Sequence, residues 1–330
     1  MKKIDKENFR QVILDFPKQF KTGFDTAKNI KPKGKFKSIT VSGMGGSALP
    51  VDILKIYLNE KETNLEIFQN RGYKLPPFAF DNSLNFLNSY SGTTEETLSS
   101  LEEALKNKLP AIGFAAGGKL IDICQKNSVP YAVLPAGIQP RCATGYFFSA
   151  MLQVLINAGM AEDETEEIVR SAEKIAENMN KLEEQGKKIS DQLAEKTPII
   201  YASEKFSKLA MIWKIKLNEN AKTPAFWNFY PELNHNEMVG FTLPQAKFHI
   251  ISLLDKNEHP QNIKRMKITA KLLEGKGIET TFVEIEGNNV FEKIFSTLLI
   301  GDWTSYHLAL KYNQDPTPVK MVEDLKKLLT

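Results

Sequence analysis

Cysteine and long apolar runs are scarce in this chain of 330 residues. Its two cysteines, Cys124 and Cys142, have no CxxC spacing, which argues against disulfides or a thiolate metal site and favours a reducing compartment. No apolar run approaches the roughly 20 residues that cross a bilayer. The start, MKKIDKENFRQVILDF, has no apolar core between its charges, so we expect no signal peptide. We therefore expect a cytoplasmic protein without a membrane partner.

An excess of charge of one sign is also missing. The formal net charge is +3, which is too small to predict a nucleic-acid partner or an anionic membrane. An anionic small molecule needs only a local positive site, so the charge balance does not exclude one. Hydrophobic residues make up 42% and charged residues 25%, which is typical of a globular protein, and the length suffices for two domains.

Strand-like and helix-like segments alternate along the chain, which predicts an α/β fold with parallel sheets and helices on their faces. After about 30 helical residues, the front half has predicted strands at 36–43, 65–70, 83–92, 110–116 and 130–136. Predicted helices lie at 49–60, 94–108, 118–127 and 145–160. Ligands of such sheets bind at the carboxyl ends of the strands.

The alternation resumes after a polar helical stretch rich in Glu and Lys. Predicted strands follow at 197–203, 248–255 and 279–287, and predicted helices at 204–219, 259–275, 290–311 and about 317–329. We therefore expect two doubly wound domains, at 1–155 and 197–330, joined by a helical connector at 156–196.

A glycine-rich turn follows the first predicted strand. Gly43-Met44-Gly45-Gly46-Ser47-Ala48 fits the dinucleotide fingerprint G-x-G-x-x-A. A dinucleotide site also needs an acidic residue after the second strand, but that strand ends Gln69-Asn70-Arg71. A loop that wraps a single phosphate and a tight turn without a ligand are the alternatives.

A second loop, SYSGTTEETL from Ser89 to Leu98, favours the phosphate. It too lies between a predicted strand and a predicted helix, and it carries five serine and threonine hydroxyls around one glycine. A single N-cap accounts for one of those hydroxyls only. Several hydroxyls with free amide groups at a helix start suit a phosphate monoester.

The two loops together resemble the sugar isomerase (SIS) domain, which binds phosphosugars. The resemblance implies that the hydroxyl loop grips the sugar phosphate and that the glycine turn approaches the sugar. The matching phosphate residues are Ser89, Ser91 and Thr94, and the matching turn residues are Gly45, Gly46 and Ser47.

Two chemistry-bearing residues stand out in the back half. Glu219 ends an apolar helix, where a half-sheltered carboxylate suits a general base, and His235 follows after a loop and one short strand. From the residues alone, a solvated helix-end glutamate and a polar loop histidine are the better interpretations.

Nearly the whole chain is similar to the bifunctional phosphoglucose/phosphomannose isomerases, which have two SIS domains. The motifs that carry the resemblance are SGMGGSA, SYSGTTEET, NENAK, PELNHNE and DPTPVKMVEDLKKLL. It implies that Glu219 is the catalytic base, that His235 opens the sugar ring, and that Lys326 is an active-site lysine. It also implies that Arg141 faces the reacting carbons, although a charge preceding the helix at 145 is an alternative for this residue.

The resemblance implies interconversion of glucose 6-phosphate, and of its C2 epimer mannose 6-phosphate, with fructose 6-phosphate through a cis-enediol. It implies a hexose 6-phosphate as the small-molecule partner, no cofactor, no metal, and a homodimer in which the histidine reaches the neighbouring site. Val319 departs from a threonine that some relatives have there, which bears on the mannose activity.

Three rival functions differ in the residues they need. A non-catalytic phosphosugar sensor has no use for Glu219, His235 and Lys326 together. The isomerase half of a glucosamine 6-phosphate synthase follows a glutaminase domain with an N-terminal cysteine, which we do not expect here. A nicotinamide dehydrogenase needs a carboxylate that binds the ribose of its cofactor, and this sequence has none after the second predicted strand.

Overall fold

The structure, a computed structural model, describes residues 4–329. This part of the chain divides into two compact units. The front unit comprises residues 15–176, and the back unit comprises residues 4–14 together with 177–329. The back unit therefore contains the first helix of the chain, α1 (Phe9–Leu14).

The front unit is built on five parallel strands in the order β2-β1-β3-β4-β5. All six residues of β1 and all six of β3 are buried, as expected for central strands covered on both faces. The strands are β1 (Ser38–Gly43), β2 (Glu66–Asn70), β3 (Ser83–Asn88), β4 (Ala111–Ala115) and β5 (Tyr131–Val133). Its helices are α2 (Lys18–Ala27), α3 (Leu49–Glu60), α4 (Glu95–Lys106), α5 (Lys119–Lys126), α6 (Thr144–Asn157) and α7 (Thr165–Glu177).

The back unit has four parallel strands in the order β7-β6-β8-β9. These are β6 (Thr197–Ser203), β7 (Phe226–Tyr230), β8 (Phe248–Leu254) and β9 (Glu279–Glu284). Its further helices are α8 (Met179–Leu193), α9 (Ser207–Ala221), α10 (Glu237–Gly240), α11 (Pro260–Glu274), α12 (Val290–Lys311) and α13 (Lys320–Leu329). The predicted α/β class, with two parallel sheets flanked by helices, is confirmed.

Each sheet reverses its winding direction between the first strand and the third strand of its unit. In the front unit β1 pairs with both β2 and β3, and in the back unit β6 pairs with both β7 and β8. Ligands of open α/β sheets bind at such switch points, outside the carboxyl ends of the strands. In the front unit these ends lead into the glycine turn and the hydroxyl loop.

The stretch expected to be a connector consists of two helices that belong to different units. Helix α7 buries Ile168, Ala172 and Ile175, and it closes the front unit. Helix α8 buries Leu182 and Leu193 and packs against α12 of the back unit. Because each helix has its own apolar side to cover, the structure has no separate connector at 156–196.

Several element ends differ from the sequence prediction for local reasons. The first helical stretch breaks into α1 and α2 at Pro17, and β3 ends at Asn88 instead of continuing to residue 92.

Within residues 4–329, no helix combines the length and apolarity needed to cross a bilayer.

Candidate active site

The glycine turn leaves β1 at Gly43 and forms one short 3-10 turn, Gly45–Ser47, before α3 begins. Gly45 has a φ of +49°, a left-handed conformation that favours glycine, and it is exposed. The neighbouring strand β2 ends at Asn70, whose amide donates to Ser42 Oγ at 3.1 Å. The ribose carboxylate of a dinucleotide site is therefore replaced here by an amide that ties two strands together.

Gly46 allows a second segment to approach the turn closely. A Cβ on Gly46 would lie 2.4 Å from the backbone nitrogen of Arg141, so no other residue fits without moving that segment. Arg141 lies in a 3-10 turn, Pro140–Cys142, and its side chain is buried. The structure thus brings Gly46 and Arg141 together, and burial excludes the interpretation of Arg141 as a solvated charge ahead of a helix.

The hydroxyl loop is shaped by hydrogen bonds between its own side chains. Ser89 Oγ pairs with Thr94 Oγ1 at 2.8 Å, and Ser91 Oγ pairs with Thr93 Oγ1 at 3.0 Å. Ser89 is fully buried, whereas Ser91 and Thr93 are exposed and Thr94 is half-buried. The hydroxyls of Ser91 and Thr94 are therefore accessible to a ligand, and the buried Ser89 fixes Thr94 through their hydrogen bond.

Ser47 joins the glycine turn to the hydroxyl loop. Its Oγ accepts a hydrogen bond from the backbone amide of Tyr90 at 2.9 Å, and its carbonyl oxygen accepts from the Asn88 amide at 3.3 Å. Tyr90 is fixed in turn, because its hydroxyl donates to the carbonyl oxygen of Pro135 at 2.7 Å. Loops that follow β1, β3 and β5 are therefore held in one arrangement.

The start of α4 has backbone groups that suit an anion. Thr94 is its N-cap residue, with extended backbone and no capping hydrogen bond from its side chain. The first intrahelical bond runs from the Leu98 amide to the Thr94 carbonyl oxygen at 3.0 Å, so the amides between them have no partner within the helix. Such amides, with the positive end of the helix dipole, favour a phosphate.

The corresponding edge of the back unit has different chemistry. Asp255 follows β8 at its carboxyl end and is buried, and Lys293 Nζ lies 2.9 Å from both of its carboxylate oxygens. Because Lys293 is paired with this carboxylate, its charge is already neutralised at this edge of the sheet. The structure therefore supports a phosphate site at the edge of the front sheet and not at the equivalent edge of the back sheet.

Glu219 lies in the last turn of α9, on the half-buried side of the helix. The helix ends with Lys222 in a left-handed conformation, at a φ of 57°. Lys222 Nζ donates to the carbonyl oxygens of Glu219 and Pro316, at 2.6 and 3.1 Å. The helix end that carries Glu219 is thus attached to the segment before α13.

His235 ends a 3-10 turn, Glu232–His235, that follows β7. Within residues 4–329 its exposed ring has no contact of the kind that the rings of His249 and His259 make. The His259 ring caps α11, and His249 Nε2 lies 2.8 Å from Thr281 Oγ1. Burial lowers the pKa of His249 and of His307. The exposed ring of His235 is therefore accessible to a ligand.

Lys326 lies on α13 and is exposed, as is its neighbour Lys327. The same helix exposes four apolar side chains, Met321, Val322, Leu325 and Leu328. Glu219, His235 and Lys326 thus all lie in the back unit, each on a different element.

Sequence reasoning missed three residues that hold these elements: Lys222, Asn234 and Glu237. Each belongs to a quoted motif, NENAK or PELNHNE, but its partners are distant in the sequence. Asn234 donates to Thr269 Oγ1 at 2.8 Å, and Glu237 accepts from Tyr201 and Asn228. A polar residue next to a candidate catalytic residue is a weak signal, because many loops have such neighbours.

Both cysteines are buried outside any disulfide, and burial raises the pKa of the Cys124 thiol to about 11. Thiolate chemistry at Cys124 is therefore unfavourable at neutral pH. In the part of the chain that the structure describes, no group of three or more His, Cys, Asp and Glu side chains is placed to hold a metal ion.

The fold and these loops define an α/β protein of the phosphosugar-isomerase type. The C-terminal domain of glucosamine-fructose-6-phosphate aminotransferase from Francisella tularensis has the same fold, with a TM-score of 0.71 at 15% identity. The match covers 94% of this chain and 97% of that one. A family model described as the bacterial phospho-glucose isomerase C-terminal SIS domain matches residues 182–329.

Curated relatives match at higher identity. A bifunctional phosphoglucose/phosphomannose isomerase from Caldicellulosiruptor bescii is 34% identical, over 96% of this chain and 97% of its own. Another, from Aquifex aeolicus, is 33% identical over 98% of both chains. The chain belongs to the bifunctional phosphoglucose/phosphomannose isomerase family.

Proposed function

We propose that the protein interconverts glucose 6-phosphate and mannose 6-phosphate with fructose 6-phosphate through a shared cis-enediol. The observation that carries the proposal is the glycine turn bonded through Ser47 to the hydroxyl loop, with the Arg141 segment packed against Gly46. Together they provide an anion site and a buried cation, in a chain of this family.

In this proposal the phosphate group binds at the start of α4. Ser91 and Thr94 donate to its oxygens with the first amides of the helix, and Ser89 acts through its hydrogen bond to Thr94. Direct contact between Ser89 and the phosphate requires Thr94 Oγ1 to be the donor of their mutual hydrogen bond, which leaves the Ser89 proton for the phosphate. Binding energy at the phosphate then orients the distant carbons, where the reaction takes place.

The chemistry needs three kinds of group at the sugar. His235, assisted by Lys326, moves protons between the ring oxygen and the anomeric hydroxyl to open the ring, for which a histidine is suited because its usual pKa is near neutrality. Glu219 then takes the proton from C2 and returns it at C1, while a proton moves between the two oxygens. Arg141 stabilises the negative charge of the enediolate as it develops. Both aldose epimers lose their C2 difference in this intermediate.

Replacement of the base tests the proposal. We expect Glu219→Gln to lower kcat at least ~100-fold, because an amide cannot accept the C2 proton, while substrate binding remains. The measurement is a coupled assay of fructose 6-phosphate formed from each aldose phosphate, without added metal, together with calorimetric binding.

Glu274→Gln is the matched control, since Glu274 is also a helix-end glutamate of the back unit and is exposed. Its kcat should equal that of the wild type. Full turnover by Glu219→Gln would remove the base assignment, and a wild-type protein that converts neither aldose phosphate would remove the proposed function.

We also propose a homodimer in which His235 serves the site of the partner subunit. The support is the resemblance to relatives together with the exposed, unpaired ring of His235 at the surface of the back unit. A mixing experiment with Glu219→Gln and His235→Ala chains tests this arrangement.

A further inference from the structure

The turn that presents His235 is anchored on both sides of the histidine. Before it, Leu233 is fully buried and Asn234 Nδ2 donates to Thr269 Oγ1 of α11 at 2.8 Å. After it, Glu237 accepts hydrogen bonds from Tyr201 and Asn228. His235 itself points to solvent between these attachments, so the surroundings fix its backbone and leave its ring accessible.

The Glu237 carboxylate uses both of its oxygens in this arrangement. Tyr201 on β6 and Asn228 on β7 are paired residues of the parallel ladder, so their side chains leave the sheet on the same face. The Tyr201 hydroxyl donates to Oε1, and the Asn228 amide donates to Oε2. Asn228 Oδ1 in turn accepts from the Phe229 amide at 2.8 Å, which orients the amide group towards Glu237.

The chemistry of this cluster favours a fixed geometry. Tyr201 is completely buried, and burial with the neighbouring carboxylate raises its pKa well above the usual value, so the hydroxyl keeps its proton. Hydrogen bonds to an ionised carboxylate are roughly twice as strong as neutral ones. Glu237 is therefore held to two strands of the sheet and lies two residues after His235.

We propose that Glu237, held by Tyr201 and Asn228, is a positioning residue that fixes the height and direction at which His235 meets the sugar ring. The proposal rests on the role of His235 in the proposed function. In this proposal Glu237 touches neither substrate nor reacting atoms. It acts on the position of His235 through the backbone of Asn236, the one residue between them.

A double-mutant cycle between the anchor and the histidine tests this idea. We expect Tyr201→Phe to lower kcat about 5- to 30-fold with KM changed less than about twofold, because the phosphate is bound elsewhere. In a His235→Ala background the same substitution should lower kcat less than about twofold, because no histidine is left to position. The measurements are kcat and KM for glucose 6-phosphate in all four proteins, with melting temperatures.

Two further variants keep the test sharp. Thr281→Val is the matched control. It removes a hydroxyl on strand β9 that is hydrogen-bonded to His249 and Gln192, and it should leave kcat unchanged. Asn228→Ala removes the other bond to Glu237 at a half-buried site, and it replaces Tyr201→Phe if that variant does not fold.

The outcomes separate the two proposals. Equal losses of kcat from Tyr201→Phe in both backgrounds, or wild-type kcat in the single variant, would overturn the positioning role and leave the histidine assignment intact. Wild-type kcat in His235→Ala would overturn the histidine assignment itself. A large loss of kcat from Tyr201→Phe in the wild-type background, together with little loss in the His235→Ala background, supports both proposals.

Discussion

Two serines at opposite ends of strand β3 show how one residue type serves different purposes. Ser83 begins the strand and Ser89 follows its last residue, and both are buried. Each pairs with a threonine hydroxyl, Ser83 with Thr40 at 2.9 Å and Ser89 with Thr94 at 2.8 Å. Only the second pair lies at the carboxyl edge of the sheet, where α/β proteins bind their ligands.

These serines give a matched pair of substitutions. We expect Ser89→Ala to raise KM for the sugar phosphate about 3- to 30-fold, with a smaller effect on kcat, since one bond of about 1–2 kcal/mol supports the phosphate loop. Ser83→Ala should cost similar stability and leave KM unchanged. Steady-state kinetics of both variants decide, and an equal KM in the two would contradict the phosphate site.

At the scale of single residues, the sequence shows which residues are candidates for a site more reliably than it shows their burial or their hydrogen-bond partners. The hydroxyls of the second loop are recognisable because five of them surround one glycine. The burial of Arg141, the lysine that ends α9 and the anchors of Glu237 are not recognisable, since each depends on partners brought close by folding. Asp255 is similar, because only the structure shows Lys293 beside it.

Among the elements, the short 3-10 turn that carries Arg141 packs closely against the glycine turn. It contacts the 3-10 turn Gly45–Ser47 backbone to backbone, and Gly46 is the point of closest approach. The position of the Arg141 backbone therefore depends on the absence of a side chain at Gly46.

Adding one methyl group there tests the dependence. We expect Gly46→Ala to destabilise the protein by about 1–3 kcal/mol through overpacking and to lower kcat, because the Arg141 segment must move. Gly72→Ala is the control, since its Cβ would meet only Asn70 Oδ1 at an ordinary 3.7 Å. Urea unfolding and kinetics measure the two effects, and unchanged kcat in Gly46→Ala would separate Arg141 from the reaction.

Elements with a strong apolar pattern are predictable, and their ends are less so. Helices α3 and α12 and strand β6 have the predicted bounds, because apolar residues and turn residues agree there. Strand β3 is shorter than predicted because the backbone turns so that Ser89 can accept from the Thr94 amide at 3.3 Å. Helix α13 begins at Lys320, after Pro316 and Pro318, since proline disfavours a helical conformation in the residue before it.

For the whole molecule, we propose different tasks for two sheets that share one winding order. The front unit has the hydroxyl loop at its switch point, and the back unit has the Asp255–Lys293 ion pair at the equivalent place. The proposed base and histidine belong to the back unit. The proposed division of labour is therefore recognition of the phosphate by one unit and proton transfer by the other.

A mixing experiment tests whether two chains share a site. If His235 serves the partner subunit, co-expressed Glu219→Gln and His235→Ala chains should recover about a quarter of wild-type activity, because half of the dimers are hybrids with one intact site each. Mass photometry should show twice the 37.3 kDa of one chain. A mixture as inactive as its components would contradict a histidine that acts across the dimer.

Helix α1 belongs to the unit that is otherwise made of residues 177–329. Its neighbour Asp5 accepts from the Tyr306 hydroxyl at 3.3 Å, across 301 positions of the sequence. During synthesis α1 leaves the ribosome long before its packing surface on α12 does. Helix α1 can therefore form its native contacts only after α12 has been synthesised, and thus after the whole front unit.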